Sequence, residues 1–273
     1  MNRINHAVIV AGGLGTRMKS LNPDLPKEML PINGLPAIQY AIEEIVSADI
    51  ANAIIVINKD KEIVKKYFDD VDFAQDLYPQ AVSDLERLRN SVSFEFLYQD
   101  KPKGEVDAIS ITEPLIPGRP FAIIYPDGLH LPSGKAMKAI CSIYQKFNKN
   151  VIALSKVTSE NFFSTGNTGR VNLKNISKRL FKITTFLPKA SGHFQPRYKH
   201  EYRTCGYMIS KPEIFEYIRL IRPTISDEFN DIHLRSEMIK QHDFLGYYPG
   251  TIFYDIGNPA GYIDCLKYIK GNQ

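Results

Sequence analysis

The chain has 273 residues, 44% of them hydrophobic and 23% charged, with 34 lysines and arginines against 30 aspartates and glutamates. These proportions exclude a disordered or collagen-like chain, and no apolar run approaches the ~20 residues of a membrane span. The net charge of +4 is spread along the chain, which suits an anionic ligand and gives no reason to expect nucleic acid.

Taken in order, His6–Val10 (HAVIV) predicts a buried strand and Ala37–Ala48 a helix, with Pro36 where a first-turn proline is tolerated. Ala53–Asn58 is a second strand and Asp60–Phe68 a second helix. Asp76–Arg89 predicts a highly charged helix, Ser93–Gln99 a strand and Glu105–Glu113 a helix. Phe121–Tyr125 is a short central strand, Lys135–Phe147 a helix, and Val151–Leu154 returns to the sheet. Phe163–Ala190 then reads as short segments without a clear helix, and Lys189–Arg203 as a polar loop. Helices resume at Pro212–Arg219, Glu228–Gln241 and Pro259–Ile269, the second with Ser226 or Asp227 as its cap. The alternation predicts an α/β protein with a doubly wound, mainly parallel mixed sheet and helices on both faces. No linker divides it, so residues 1–273 are expected to form one domain. Cys141, Cys205 and Cys265 stand apart without a CxxC pair, which argues against disulfides and zinc and for a reducing compartment. The first residues lack the apolar core of a signal peptide, so the cytoplasm is expected.

Residues 11–31 read AGGLGTRMKSLNPDLPKEMLP. Glycines after a buried strand let an anion approach the main chain, and their successive N–H groups can cradle a phosphate. Ala11, Gly12, Gly13, Leu14, Gly15 and Thr16 are therefore the phosphate-binding candidates, with Arg17 and Lys27 as cations of complementary shape, as a polyphosphate needs. The Walker pattern is excluded because no GK[ST] follows, and the dinucleotide G-x-G-x-x-G is absent.

G-G-x-G-T-R followed by P-K-E-M-L-P resembles the signature of the sugar-1-phosphate nucleotidyltransferases, most like the bacterial UTP–glucose-1-phosphate uridylyltransferases. The resemblance implies a Rossmann-like nucleotidyltransferase fold, with residues 1–130 mainly binding nucleotide and 131–273 mainly binding sugar. It implies an Mg²⁺-dependent enzyme of nucleotide sugar biosynthesis, using UTP or, next, a thymidine nucleotide, and a sugar 1-phosphate such as glucose 1-phosphate. Arg17 and Lys27 become the catalytic cations. Gln99 and Gly104, in LYQDKPKGEVDA, face the base; a glutamine amide both donates and accepts. Val106 stands where a small residue is usual and is expected to crowd the nucleotide. Glu105 and Asp107 suit the first turn of a helix. Asp127 in YPDG and Asp255 in FYDIGNPAGY become the metal ligands, since Mg²⁺ takes few carboxylates together with phosphate oxygens and water. Gly169 in TGRV matches a sugar-contacting glycine, and a dimer or tetramer is common among such proteins.

The resemblance breaks where E-K-P is expected: Phe186 and Leu187 replace the glutamate and lysine that hold the sugar and its phosphate. Lys189, two residues on, is the first replacement cation, with Arg170 or Arg197 as others. A different acceptor sugar, or a protein that binds nucleotide without transferring it, also fits the loss of that lysine. A P-loop phosphotransferase is disfavoured by the missing GK[ST]. His130, three residues after Asp127, reads as a packing or surface histidine rather than a site residue.

Overall fold

In the computed structural model, which describes residues 3–101, 103–158, 161–222 and 229–272, the run His6–Val10 forms β1, inside a nine-stranded sheet. Successive residues of a strand face opposite sides, and here both sides are core. Ala7 and Ile9 enter one apolar cluster, Val8 and Val10 another. The glycine-rich loop leads on to a small hairpin, β2 (Pro31–Ile32) and β3 (Leu35–Pro36), and to α1 (Ala37–Ser47). Then come β4 (Asn52–Ile57), α2 (Glu62–Asp69), α3 (Val71–Leu77), α4 (Val82–Ser91), β5 (Ser93–Tyr98) and α5 (Glu105–Ser110). β6 (Phe121–Ile124), β7 (Gly128–Leu131), α6 (Ala136–Phe147) and β8 (Asn150–Val157) follow. The second half adds β9 (Val171–Ser177), β10 (Leu180–Phe186), β11 (Glu201–Ser210), α7 (Ile214–Ile221), α8 (Asp231–Met238), β12 (Phe244–Tyr247), β13 (Ile252–Asp255) and α9 (Pro259–Gly271).

The strand order is β5-β4-β1-β6-β11-β8-β12-β10-β9. β5, β4, β1 and β6 run parallel, and β12 runs parallel to β8. β11 is antiparallel to both of its neighbours, and β10 antiparallel to β12 and β9. Helices α1 to α4 and α6 cover one face, and α5, α7 and α8 the other. β7 and β13 form a separate antiparallel ladder, capped by α9 through Leu129, Leu131, Ile256 and Cys265. Among the described residues no helix is long and apolar enough to cross a membrane.

Several elements differ from expectation for local reasons. The helix expected over Asp76–Arg89 is interrupted: Pro79 lacks an N–H and disfavours helical geometry at Tyr78, so α3 stops at Leu77 and α4 starts at Val82. Residues 163–190 hold two full strands, β9 and β10; most of β9 is exposed, which conceals the alternation. Strand β12, absent from the sequence reading, completes the pairing between β8 and β10. The polar loop ends at His200, and Arg203 belongs to β11. α8 starts later than expected, because the Asn230 side chain accepts the N–H groups of Ile232 and His233. Ser226 and Asp227, the cap candidates, lie outside the described residues.

Candidate active site

At the carboxyl edge of β1 the chain is anchored from below. The Ala11 N–H bonds the Val56 carbonyl at 2.9 Å, Lys61 Nζ donates to the Ala11 carbonyl at 2.7 Å, and Asn58 Nδ2 donates to the Gly12 carbonyl at 2.8 Å. Ala11 and Gly12 are buried and do not line the cleft; they are the footing of the loop, whose rim is Gly13, Leu14, Gly15, Thr16 and Arg17. Gly15 takes φ 64°, the left-handed turn that glycine favours. Beneath the rim, Lys61 Nζ lies 2.8 Å from both Glu28 carboxylate oxygens in a buried pair. Removing one partner would leave an uncompensated buried charge. Burial lowers the Lys61 pKa despite Glu28. Sequence reasoning missed Glu28, Asn58 and Lys61. The signal was there in a polar Asn-Lys-Asp-Lys run that directly follows an apolar strand.

Asp127 follows β6, and Lys27 Nζ stands 2.5 Å from its Oδ2. Burial pushes the Asp127 pKa up, but the Lys27 ammonium, its hydrogen bond and Arg17 outweigh this and hold the carboxyl below its ordinary range. Lys27 moves the opposite way: burial lowers it, while Asp127 and Glu28 raise it further. Asp255 ends β13, whose register pairs it with Gly128, the neighbour of Asp127. The Ile256 N–H bonds the Asp127 carbonyl at 2.9 Å, and the Gly166 N–H donates to Asp255 Oδ2 at 3.3 Å. Two carboxylates from distant parts of the chain thus line one cleft with Arg17 and Lys27.

Gln99, expected to face the base, directly follows β5. Its Nε2 donates to the Gly104 carbonyl at 3.0 Å and to Asp107 Oδ2 at 2.9 Å. Both amide hydrogens are therefore engaged within the protein, so the donating half of the role expected for Gln99 is already taken. Its side chain instead fixes the backbone at Gly104. Val106 is fully buried in the core and does not line the cleft, so it crowds no ligand there. Glu105 and Asp107 do occupy the first turn of α5, and each also has side-chain partners: Asp107 takes Gln99 and Arg222.

The opposite wall comes from the second half. Gly169 takes φ 72°, and a Cβ there would fall 2.4 Å from the Thr204 carbonyl oxygen, so only glycine fits this contact. Phe186 is packed in the core edge-on to Phe244, with ring centroids 5.3 Å apart, while still bordering the cleft. Leu187 bonds the Arg170 carbonyl through its N–H at 3.0 Å. Lys189 Nζ reaches Glu105 at 2.7 Å and Asp231 at 3.6 Å, and Arg235 holds Asp231 at 2.7 Å. Burial and then Asp231 push the Glu105 carboxyl up; at Asp231 burial is outweighed by Arg235, which keeps that carboxylate charged. Arg170 and Arg197, the other replacement cations, both bind Glu201, at 2.8 and 2.7 Å. Arg203, which sequence reasoning placed in a loop, borders the cleft from β11. His130 packs behind the site, its Nδ1 2.8 Å from Thr251 Oγ1, and burial lowers its pKa to about 3. The cleft enclosed by these walls measures about 560 Å³.

The chain is similar to known proteins over nearly its whole length. The sequence is 29% identical over 273 residues to UTP–glucose-1-phosphate uridylyltransferase 1 of Staphylococcus saprophyticus, covering 96% of this chain and 91% of that protein. It is 27% identical over 282 residues to UTP–glucose-1-phosphate uridylyltransferase of Pseudomonas aeruginosa, covering 98% and 97%. A crystal structure of UDP-glucose pyrophosphorylase complexed with UDP-glucose superposes with a TM-score of 0.84 at 26% identity, covering 99% of this chain and all of that one. With the glycine loop, the lysine and the two aspartates gathered at one sheet edge, and the sequence model of the nucleotidyl transferase family matching residues 6–271, this chain belongs to that family.

Proposed function

We propose that this nucleotidyltransferase moves a uridylyl group from UTP to glucose 1-phosphate, releasing pyrophosphate and forming UDP-glucose. The observation that carries the reading is the meeting of Lys27, Asp127 and Asp255 beside the glycine rim, in a cleft whose far wall comes from the second half of the chain. The names of the relatives and of the superposed structure supply the uridine and the glucose. A sheet running unbroken through both halves supports treating residues 1–273 as one catalytic unit.

In this reading the amides from Gly13 to Thr16 orient the triphosphate, and Arg17 and Lys27 offset the charge that gathers on the leaving pyrophosphate. A phosphate oxygen of the acceptor attacks the α-phosphorus in line. It is already ionised at neutral pH, so no strong general base is required, and positioning supplies most of the rate. Asp127 and Asp255 suit Mg²⁺ because both offer hard carboxylate oxygens to one cleft, Asp255 from the end of β13 and Asp127 from the residue just before β7. Among the described residues no cluster of three or more His, Cys, Asp or Glu forms a closed metal cage. Bound there, Mg²⁺ would neutralise phosphate charge. Gln99 and Gly104 shape the base pocket through their mutual bond.

The test is pyrophosphate release from UTP, glucose 1-phosphate and Mg²⁺, with dTTP and CTP in parallel. Release fastest with UTP and abolished by a chelator is expected. Release only with another nucleotide would overturn the choice of base, and release only with another sugar 1-phosphate would overturn the choice of acceptor.

A further inference from the structure

The cations of the cleft divide into two groups. Lys27, Lys189, Arg170 and Arg235 each stand against a carboxylate, at 2.5, 2.7, 2.8 and 2.7 Å. Arg17 and Arg203 also line the cleft, and among the described residues neither has such an ion pair. Arg17 stands on the exposed glycine rim. Arg203 borders the cleft from β11, only 4% exposed. Its Nη2 donates to Thr168 Oγ1 at 3.1 Å, and its guanidinium carbon lies 5.4 Å from the centre of the Phe253 ring. Its Nε and Nη1 are buried and have no hydrogen-bond partner among the described residues.

Such a group is costly. A buried donor without an acceptor forfeits about 1–3 kcal/mol, and more when charged. A guanidinium kept in that condition at a cleft wall is a site prepared for an anion. Burial lowers its pKa, and the nearby Asp255 and Asp127 charges only partly counter this. The adjoining backbone is fixed as well: the Thr204 N–H bonds the Gly169 carbonyl at 2.8 Å, which ties residues 168–170 to β11.

We infer that Arg203 receives the phosphate of the acceptor, its unpartnered Nε–H and Nη1–H groups donating to the oxygens of a phosphate monoester held beside Gly169. Arg17 on the rim and Arg203 on β11 then divide the work, one serving the nucleotide phosphates and the other the incoming phosphate. This rests on the reading that the acceptor is a sugar 1-phosphate. It explains how the cleft holds a dianion although Leu187 brings no charge and Lys189 is engaged by two carboxylates.

The test compares the full chain with Arg203→Met, which keeps the buried volume, and Arg203→Lys, which keeps a charge but not the fork. Arg203→Met is expected to raise KM for glucose 1-phosphate about tenfold or more. KM for UTP should stay within about twofold, and Arg203→Lys should recover part of the loss. In the unmodified protein, the Arg203 Nε–H resonance, identified by its absence from the lysine variant, should shift on adding glucose 1-phosphate and not on adding glucose. That measurement decides the matter if Arg203→Met does not fold. An unchanged acceptor KM in a folded variant, a parallel rise of both KM values, or a resonance indifferent to the sugar phosphate would overturn the assignment. Absence of turnover in the unmodified chain would instead count against the uridylyl-transfer reading.

Discussion

The two walls of the cleft are built in different ways. On the wall proposed to face the nucleotide, the rim and its two cations come from one contiguous stretch, residues 13–27, laid over a parallel sheet and braced by the buried Glu28–Lys61 pair, with Asp127 added from the turn after β6. On the wall proposed to face the acceptor, Gly169, Lys189, Arg203, Asp231 and Arg235 arrive from separate segments, joined by ion pairs and antiparallel register. The first wall is a local device that a motif can encode. The second exists only after long-range pairing, so its residues can change type while the wall keeps its charge.

The sharpest way to break this contrast is Lys27→Ala. If the nucleotide wall works as a local device, turnover falls by about 10³ while Tm moves by only a few degrees, since one preorganised cation is worth about 10²–10³ in rate. Steady-state kinetics beside thermal melts decide it, and equal damage to both would make Lys27 a structural residue. Next in size is Asp255→Asn. Turnover should drop about a hundredfold and recover in part at high Mg²⁺, because a ligand is weakened and not a nucleotide contact. A magnesium titration showing an unchanged half-saturation point would contradict that role. On the acceptor wall, Lys189→Met removes the partner of Glu105 and Asp231, so it should lower Tm by a few degrees and raise KM for glucose 1-phosphate less than Arg203→Met does, with KM for UTP unmoved. A change in the UTP value would erase the division between the walls.

The smallest effect lies under the nucleotide side and should touch neither wall. Glu44 accepts the Met137 N–H at 2.8 Å, and burial, only partly offset by backbone donors, pushes its carboxyl up to about 7. The unfolded value is near ~4.3. The folded state therefore holds this proton more tightly. The stability it contributes is complete below the unfolded value and is lost as pH rises through about 7. Glu44→Gln should flatten the pH dependence of Tm between pH 5 and 8 and add on the order of 2 kcal/mol at pH 8, with kinetics unaltered.

Legibility follows the same division. β1, β4 and β6 were readable because strands buried on both faces are near-continuous apolar runs. Gly15, Arg17 and Lys27 stood out because glycines and cations gather at short spacing after a buried strand, and Asp127, 100 positions from Lys27, stood out only through the family resemblance. β9 and β10 were not, since strands with exposed faces carry lysine, asparagine and threonine and mimic loops. Arg203 was hidden for a related reason: in KASGHFQPRYKHEYR it is one more basic residue, and only register moves it inward, opposite Ser155. Glu105 was legible as a helix-start charge but not as the partner of Lys189, which lies 84 positions away.

The short β7–β13 ladder also makes a hinge point of two distant stretches of sequence. Asp255 and the Ile256 amide that grips the Asp127 carbonyl are held beside residues 127 and 128 by four register pairs and that one bond. Fraying of this ladder would draw Asp255 away from Asp127 while leaving the parallel strands under the glycine loop intact. Local melting there is therefore a route to losing the geometry of the cleft without unfolding the molecule.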